Sequence, residues 1–293
     1  PDDMARIHLG GKRVTPEAIV KWKEDHGYNK PLLYNSDRPG AEKLTDTIFF
    51  RHSVSLFAFR FGRSDQGRDI GYDIYQRMWP SLAIALPVFL VGILVHITFA
   101  MLLAFFRGSY LDTSGVVLCV VMMSISSLFY VIGGQYLISM LLRLVPISGY
   151  DLGIEAVKFL ILPVIVGVVG GIGASTRLYR TFFLEEINKD YVRTARAKGL
   201  SELRVLFRHV LKNAMIPILT GVVVVIPLLF TGSLILESFF AIPGLGSYTI
   251  DAIHSQDFAI VRAMVFLGSV LYIAGLILTD ITYTLVDPRV RLE

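Results

Sequence analysis

The sequence predicts an all-α integral membrane protein with about five apolar spans, and three observations predict it. Of 293 residues, 54% are hydrophobic and only 18% charged, where a soluble chain carries about a quarter charged. Mean hydropathy is +0.60. Five stretches have the roughly 20 residues a helix needs to cross about 30 Å of hydrocarbon: Pro80–Phe106, Val116–Leu142, Ala156–Thr176, Met215–Phe240 and Val261–Leu285. Their connections alternate between basic and nearly uncharged. Polar and apolar residues do not alternate along the spans as a barrel requires, and a helix leaves no backbone group unpaired in lipid.

Residues 1–79 are polar enough for a small soluble lobe. Thr15-Pro16-Glu17 is a helix start: Thr at the N-cap, Pro at the first helical position, then an acid near the positive end of the dipole. That helix is expected to end near Asp25, with Gly27 as its stop. Asp37-Arg38-Pro39-Gly40 is a turn signal.

The loops 107–115 and 177–214 and the tail after 285 together hold twelve Lys and Arg. The loops 143–155 and 241–260 hold only Arg143. The basic set is therefore expected in the cytoplasm, which puts 1–79 outside. No basic stretch followed by an apolar one precedes the lobe, so an upstream span is expected ahead of Pro1. The single cysteine, Cys119, lies within an apolar run and reads as a packing residue; no Cys/His spacing suggests a metal.

Segment 177–214 is long, basic and patterned. Asp190 to Lys198 is helix-forming, with Val192, Ala195 and Arg196 on one face; Gly199 interrupts it, and Ser201 is a candidate N-cap. A second, amphipathic helix from Glu202 to about Asn213 carries Leu203, Leu206, Phe207, Val210 and Leu211 and leads into the next span. Such a loop either sets topology and touches anionic lipid or docks a cytoplasmic partner.

The run Asp190-Tyr191-Val192-Arg193-Thr194-Ala195-Arg196-Ala197-Lys198-Gly199-Leu200-Ser201, followed by Arg208-His209-Val210-Leu211-Lys212-Asn213-Ala214 and Pro217, resembles the cytoplasmic loop of dipeptide/oligopeptide/nickel-type ABC importer permeases. Where the general importer loop has Glu-Ala-Ala, this chain has Arg193-Thr194-Ala195, as the peptide subfamily does. Phe230-Thr231-Gly232-Ser233, Glu237 and Ile242-Pro243-Gly244-Leu245-Gly246 are similar to the outer loop before the last span, and Asp280, Tyr283 and Asp287-Pro288-Arg289-Val290-Arg291 to the usual ending. Pro1-Asp2-Asp3, Thr15-Pro16-Glu17-Ala18-Ile19 and Asn29-Lys30-Pro31-Leu32 resemble the segment after the first span of the B-type subunit; Glu42 to Phe61 fits poorly.

The resemblance implies a type I ABC importer transmembrane domain with six spans, five of them present here. Residues 80–286 would form that domain, after an outer segment 1–79 and before a cytoplasmic tail 287–293. It implies a coupling helix docked on the ATPase subunit through Tyr191, Arg193, Ala195, Ala197, Lys198, Gly199, Leu200 and Ser201. It implies no cofactor on this chain, ATP and Mg being held by the partner. The implied partners are a second permease forming a heterodimer, one or two cytoplasmic ATP-binding subunits and an extracytoplasmic solute-binding protein, in the bilayer of a bacterial inner membrane. The implied solute is a short peptide, though related systems carry modified peptides, nickel chelates or sugars.

Gly167, Gly170, Gly171 and Gly173 read as close helix packing or as a hinge. Pro87, Pro163, Pro217 and Pro227 predict kinks. His96 reads as a bond to a neighbouring helix or as pore lining, Glu237 as a polar group near the outer end of its span, and Asp280 as a partner for Arg289 or Arg291. No phosphate-cradling G-x-x-x-x-G-K-[ST] pattern occurs, no hydrolase motif and no basic-aromatic face for nucleic acid. A stand-alone secondary transporter or channel is the alternative; it predicts paired intramembrane charges and no docking loop.

Overall fold

The computed structural model describes residues 5–6, 14–151 and 153–286, with backbone alone at 154 and 283–286. Among them the regular elements are all helical, with one isolated bridge between Arg63 and Asp69. The tail 287–293 and the expected pairing of Asp280 with Arg289 or Arg291 lie outside the described residues. The chain divides into two compact units, residues 1–76 with 249–267 and residues 77–248 with 268–293.

The first unit opens on α1 (Pro16–Asp25), which begins where the Thr-Pro-Glu signal puts it. Thr15 Oγ accepts from Ala18 N, and Gly27 closes the helix at φ +73°. Short helical turns follow at Glu42–Thr45, Phe50–Val54 and Ser55–Phe57. Asp46 binds this stretch together, pairing with Lys30 and, at 3.3 and 3.2 Å, with Arg38 and Arg51. Those cations hold its carboxyl below the usual range. Asp257 is buried and joins distant parts of the unit, accepting from Ile260 N on one oxygen and from Asp65 N, at 2.8 Å, on the other.

The second unit is a bundle of long apolar helices. Among the described residues of the chain, four helices have the length and composition to cross a membrane, or five if one bent pair counts as a span. The first, α2 (Ile70–Phe105), starts ten residues before the apolar stretch and contains Pro80 and Pro87. The expected single span Val116–Leu142 is instead two helices, α3 (Tyr110–Ser124) and α4 (Ser127–Gly134, continued as a π-helical turn Gln135–Leu141), bent by 93°. The cause lies in Ser124-Ile125-Ser126-Ser127. There Ile125 and Ser126 are extended, at ψ 128° and 144°, and end the helix. Tyr130 Oη donates at 2.8 Å to the Met122 carbonyl, which also accepts from Ile125 N at 3.3 Å. At about 1.5 Å per residue, α3 covers about 22 Å and cannot cross alone.

Next come α5 (Ala156–Ile187), α6 (Asp190–Ala197), and a helical run through Glu202–Val205 and a π turn Leu206–Val210 into α7 (Leu211–Val223). The far end of that run breaks at Gly232, φ +74°, before α8 (Leu234–Phe239). Then come α9 (Leu245–His254) and α10 (Phe258–Val286).

The glycine cluster on α5 is not uniform. A Cβ on Gly173 would meet the Cys119 carbonyl oxygen of α3 at 2.6 Å, whereas one on Gly170 would find only Tyr130 Cδ2 at 3.8 Å. Gly173→Ala is therefore expected to push the α3 and α5 backbones apart and cost about 1–3 kcal/mol, while Gly170→Ala is neutral within about 0.5 kcal/mol. Thermal unfolding in detergent separates them.

In the first unit, burial and the neighbouring Arg262 and Arg51 guanidiniums push the His52 imidazole down to about 4. An unfolded histidine protonates near 6.5, so the unfolded state binds the proton first. Stability held above pH 6.5 is lost as pH falls toward about 4. Fluorescence of Trp22, in a Trp79→Phe background, should report unfolding of the lobe across that window. His52→Gln should flatten the pH dependence.

Candidate functional site: a docking helix anchored to the bundle

α5 does not stop at the expected inner end of its span. It runs on to Ile187, eleven residues past Thr176, so its last turns stand off the apolar zone and carry α6. A hydrophobic cluster holds the assembly. Phe183, Ile187, Val192, Ala195, Val205, Leu206, Val210, Ala214 and Ile218 are buried together with Ala100 and Ala104 of α2. Val192 and Ala195 are the inward face of α6, at 0% and 5% exposed. Gly199, at φ +78°, supplies the left-handed residue that reverses the chain, and Ser201 is extended at the cap position of the following helix, without a side-chain cap bond.

Polar contacts fix the same element. Glu186 accepts from Lys189 and from the Tyr191 hydroxyl. Burial and that acid push the Tyr191 phenol up to about 12, so it stays a donor at ordinary pH. Arg196 forks onto Glu202 at 2.7 and 3.2 Å, tying α6 to the helix after the turn. Deeper in, Arg180 of α5 grips Asp112 of α3 with two bonds, at 2.8 and 2.7 Å. Asp112 is buried and also accepts from Gly108 N.

Of the eight residues assigned to docking by resemblance, Arg193, Ala197, Lys198, Gly199 and Ser201 are exposed. Ala195 faces inward, against that expectation, because it shares the buried side of α6 with Val192. Tyr191 and Leu200 are half-buried. The free face is thus basic and narrow. Leu203 and Phe207, read as belonging to an apolar face, are exposed at 57% and 53% beside it.

The other residues singled out lie elsewhere in the bundle. His96 Nε2 is 3.0 Å from the Val168 carbonyl of α5, and a Cβ on Gly171 would meet its ring at 2.9 Å. Gly167, Gly170 and Gly171 line a cavity of about 480 Å3 with Ser81, Val88 and Tyr130. Among the described residues no cluster of His, Cys, Asp or Glu could hold a metal ion.

Glu237 is 0% exposed and organises the segment 232–247. One carboxyl oxygen accepts from Ser233 N at 3.1 Å and the other from Ser247 N at 3.0 Å, with Ser81 and Gly246 N adding bonds. Ser81 Oγ in turn accepts from Leu245 N at 2.7 Å. Gly232 and Gly244 exist for this node, since a Cβ on Gly244 would meet Ser81 Oγ at 2.5 Å and one on Gly232 at 2.7 Å. Sequence reasoning flagged Glu237 but missed Ser81; the spacing Gly232, Ser233, Glu237, Gly244, Gly246 was the available signal.

Residues 96–292 match the family described as the binding-protein-dependent transport system inner membrane component. A Brucella abortus (strain 2308) protein, provisionally named a peptide transport system permease protein, is 33% identical over 100% of this chain and 90% of its own length. The dipeptide transport system permease protein of Bacillus subtilis (strain 168) is 29% identical, covering 93% of this chain and 88% of its own length. An inner membrane ABC transporter permease protein of Escherichia coli O157:H7 is 30% identical, covering 98% and 79%.

Glu237→Gln places an amide N–H2 where the carboxylate accepts from the backbone N–H groups of Ser233, Gly246 and Ser247. It should cost about 1–3 kcal/mol, and Gly244→Ala a similar amount through the same node. Limited proteolysis between residues 241 and 248, alongside thermal unfolding, should show the loop released in both variants.

Proposed function

Because the chain belongs to the binding-protein-dependent transport system inner membrane component family, we propose that it forms half of the pore of an ATP-driven importer of short peptides. The observation that carries the proposal is α6: a short helix with an exposed basic face, held rigidly off the bundle. Its inner side is packed and its ends are tied by Glu186 and Glu202, so a force applied to it moves α5, α7 and the inner end of α2 together.

In this reading Arg193, Ala197, Lys198, Gly199 and Ser201 sit in a cleft of a cytoplasmic ATP-binding subunit, with Tyr191, Ala195 and Leu200 shaping the helix from behind. ATP and Mg are held by that partner, of which the importer has one or two kinds. A second permease supplies the other half of the pore, and an extracytoplasmic binding protein delivers the solute. The twelve-to-one bias of basic residues between the two sets of connections supports a cytoplasmic position for 177–214 and the C-terminus. Residues 1–79 then lie outside, and 80–286 form the transmembrane domain. The names of the relatives support peptides as the solute. Asp280 stays a polar contact at the inner end of the last span, and His96 and the α5 glycines act in packing beside the pore.

The paired reversal Arg193→Glu and Lys198→Glu leaves the buried face of α6 untouched. In the complete importer reconstituted in proteoliposomes it should lower peptide uptake at least about tenfold and release the ATPase subunit, with membrane insertion unchanged. Normal uptake by that variant would refute the docking role.

A further inference from the structure

The first unit presents a cluster of phenyl rings that the transport reading leaves unused. The turn Ser55-Leu56-Phe57-Ala58-Phe59-Arg60-Phe61 is fastened from one side: Leu56 is buried, whereas Phe57 and Phe59 are 75% and 58% exposed. Both rings meet Phe266 of α10 edge-on, at 5.2 and 6.2 Å between centroids, and Phe59 meets Phe61 the same way at 6.2 Å. Phe61 in turn lies on the start of α2, where a Cβ on Gly71 would find its Cδ2 at 3.6 Å.

Two features set this turn apart from an ordinary surface loop. Phe59 stands at φ +54°, a region that glycine enters freely and bulky L residues avoid. In water that conformation and two bare phenyl rings would each be unfavourable. The amides of the turn are also closed on themselves. Ala58 N and Arg60 N donate to the Ser55 carbonyl at 3.1 and 3.2 Å, and Phe59 N to the Leu56 carbonyl at 2.8 Å. Backbone beside hydrocarbon needs its amides paired in this way.

The position of Phe266 points to the occupant of the exposed rings. It lies five residues inside the apolar stretch Val261–Leu285, about 7 Å along the helix. An apolar face at the membrane boundary is buried to about 5–10 Å. Tyr72 and Tyr75, exposed on one side at the start of α2, are of the type enriched at that level. Arg60 and Arg63 are exposed and in no ion pair among the described residues. Such side chains keep their stems in apolar surroundings and their charge among lipid phosphates. Helix interfaces inside a membrane favour small residues, so projecting phenyl rings flanked by arginine suit lipid better than a second subunit.

We propose that Phe57 and Phe59 insert into the bilayer beside α10 and moor the lobe to the membrane surface, with Arg60 and Arg63 at the lipid phosphates. The inference goes beyond the importer reading. It needs α10 to cross the bilayer and is independent of the solute.

The test places a nitroxide on Phe57→Cys or Phe59→Cys, each in a Cys119→Ala background, with the full-length protein in lipid nanodiscs. Leu33→Cys, an exposed position elsewhere in the lobe, is the reference. Collision with oxygen, which concentrates in hydrocarbon, is compared with collision with a water-soluble nickel chelate. The oxygen-to-nickel ratio at 57 and 59 should exceed that at 33 at least about fivefold. A ratio equal to that at 33 would place the turn in water and overturn the anchor. Shielding from both reagents, in the protein alone or in the assembled importer, would mean that protein covers the rings and would overturn it too. The unaltered protein gives a second measurement that no folding defect can confuse: a diazirine carried on a lipid acyl chain should label the peptide 55–61, and absence of that label counts against the anchor.

Discussion

Hydrocarbon offers no hydrogen bonds, so any backbone group not paired within its own helix needs a partner from the protein. Each irregular stretch of the second unit answers to that constraint. At the bend between α3 and α4 the Met122 carbonyl accepts from Ile125 N and, as a second donor, from the Tyr130 hydroxyl. The π turn that follows is anchored by Gln135, whose amide reaches the Ile147 and Phe239 carbonyls at 3.2 and 3.0 Å. At the outer end Glu237 gathers amides that no helix claims. A carboxylate is costly to bury alone, yet here both oxygens are occupied. The two glycines beside it keep bulk out of the space it fills. The departures from straight helix are thus placed where a side chain is ready to close them.

Helix α6 obeys a different rule. Outside the apolar zone water can satisfy its backbone, so position must come from packing. It comes from the overrun of α5, which carries Phe183 and Ile187 into the cluster that also holds Val192, Ala195 and Val210. Close-packed interiors transmit displacement because they have little compressibility. The Arg180–Asp112 fork then links the same overrun to α3, the first half of the bent pair. Motion imposed on α6 would therefore reach α2 through van der Waals contact and α3 through a charge-assisted pair, two connections of different stiffness.

Much of this was legible in the sequence wherever a local signal decides the outcome. Thr15-Pro16-Glu17 starts a helix, Gly199 ends one, and runs of apolar residues become long helices. The bend at 125–126 was less legible because apolar composition reports solvent and not direction; four residues rich in serine were its only mark. The inward turn of Ala195 depends on which side of α6 meets α5 and α7, which a short helix of mixed polarity does not state. Glu237 was visible as an oddity, but its donors come from Ser81 and from residues 233–247, and only the fold assembles them. The packing of Phe57 and Phe59 on Phe266 was beyond reach for the same reason, since the turn and α10 lie far apart in the chain.

The two units differ in how they treat charge. The cavity beside Gly167, Gly170 and Gly171 is walled mainly by aliphatic side chains with a few hydroxyls, and the buried Glu237 carboxyl already accepts from internal donors. Such a surface offers few partners to a charged group. A cavity in the first unit has the reverse character, lined by Arg51 and Arg262 together with Glu24, Asp25 and Asp65. Charged groups stay inexpensive only where water can still solvate them.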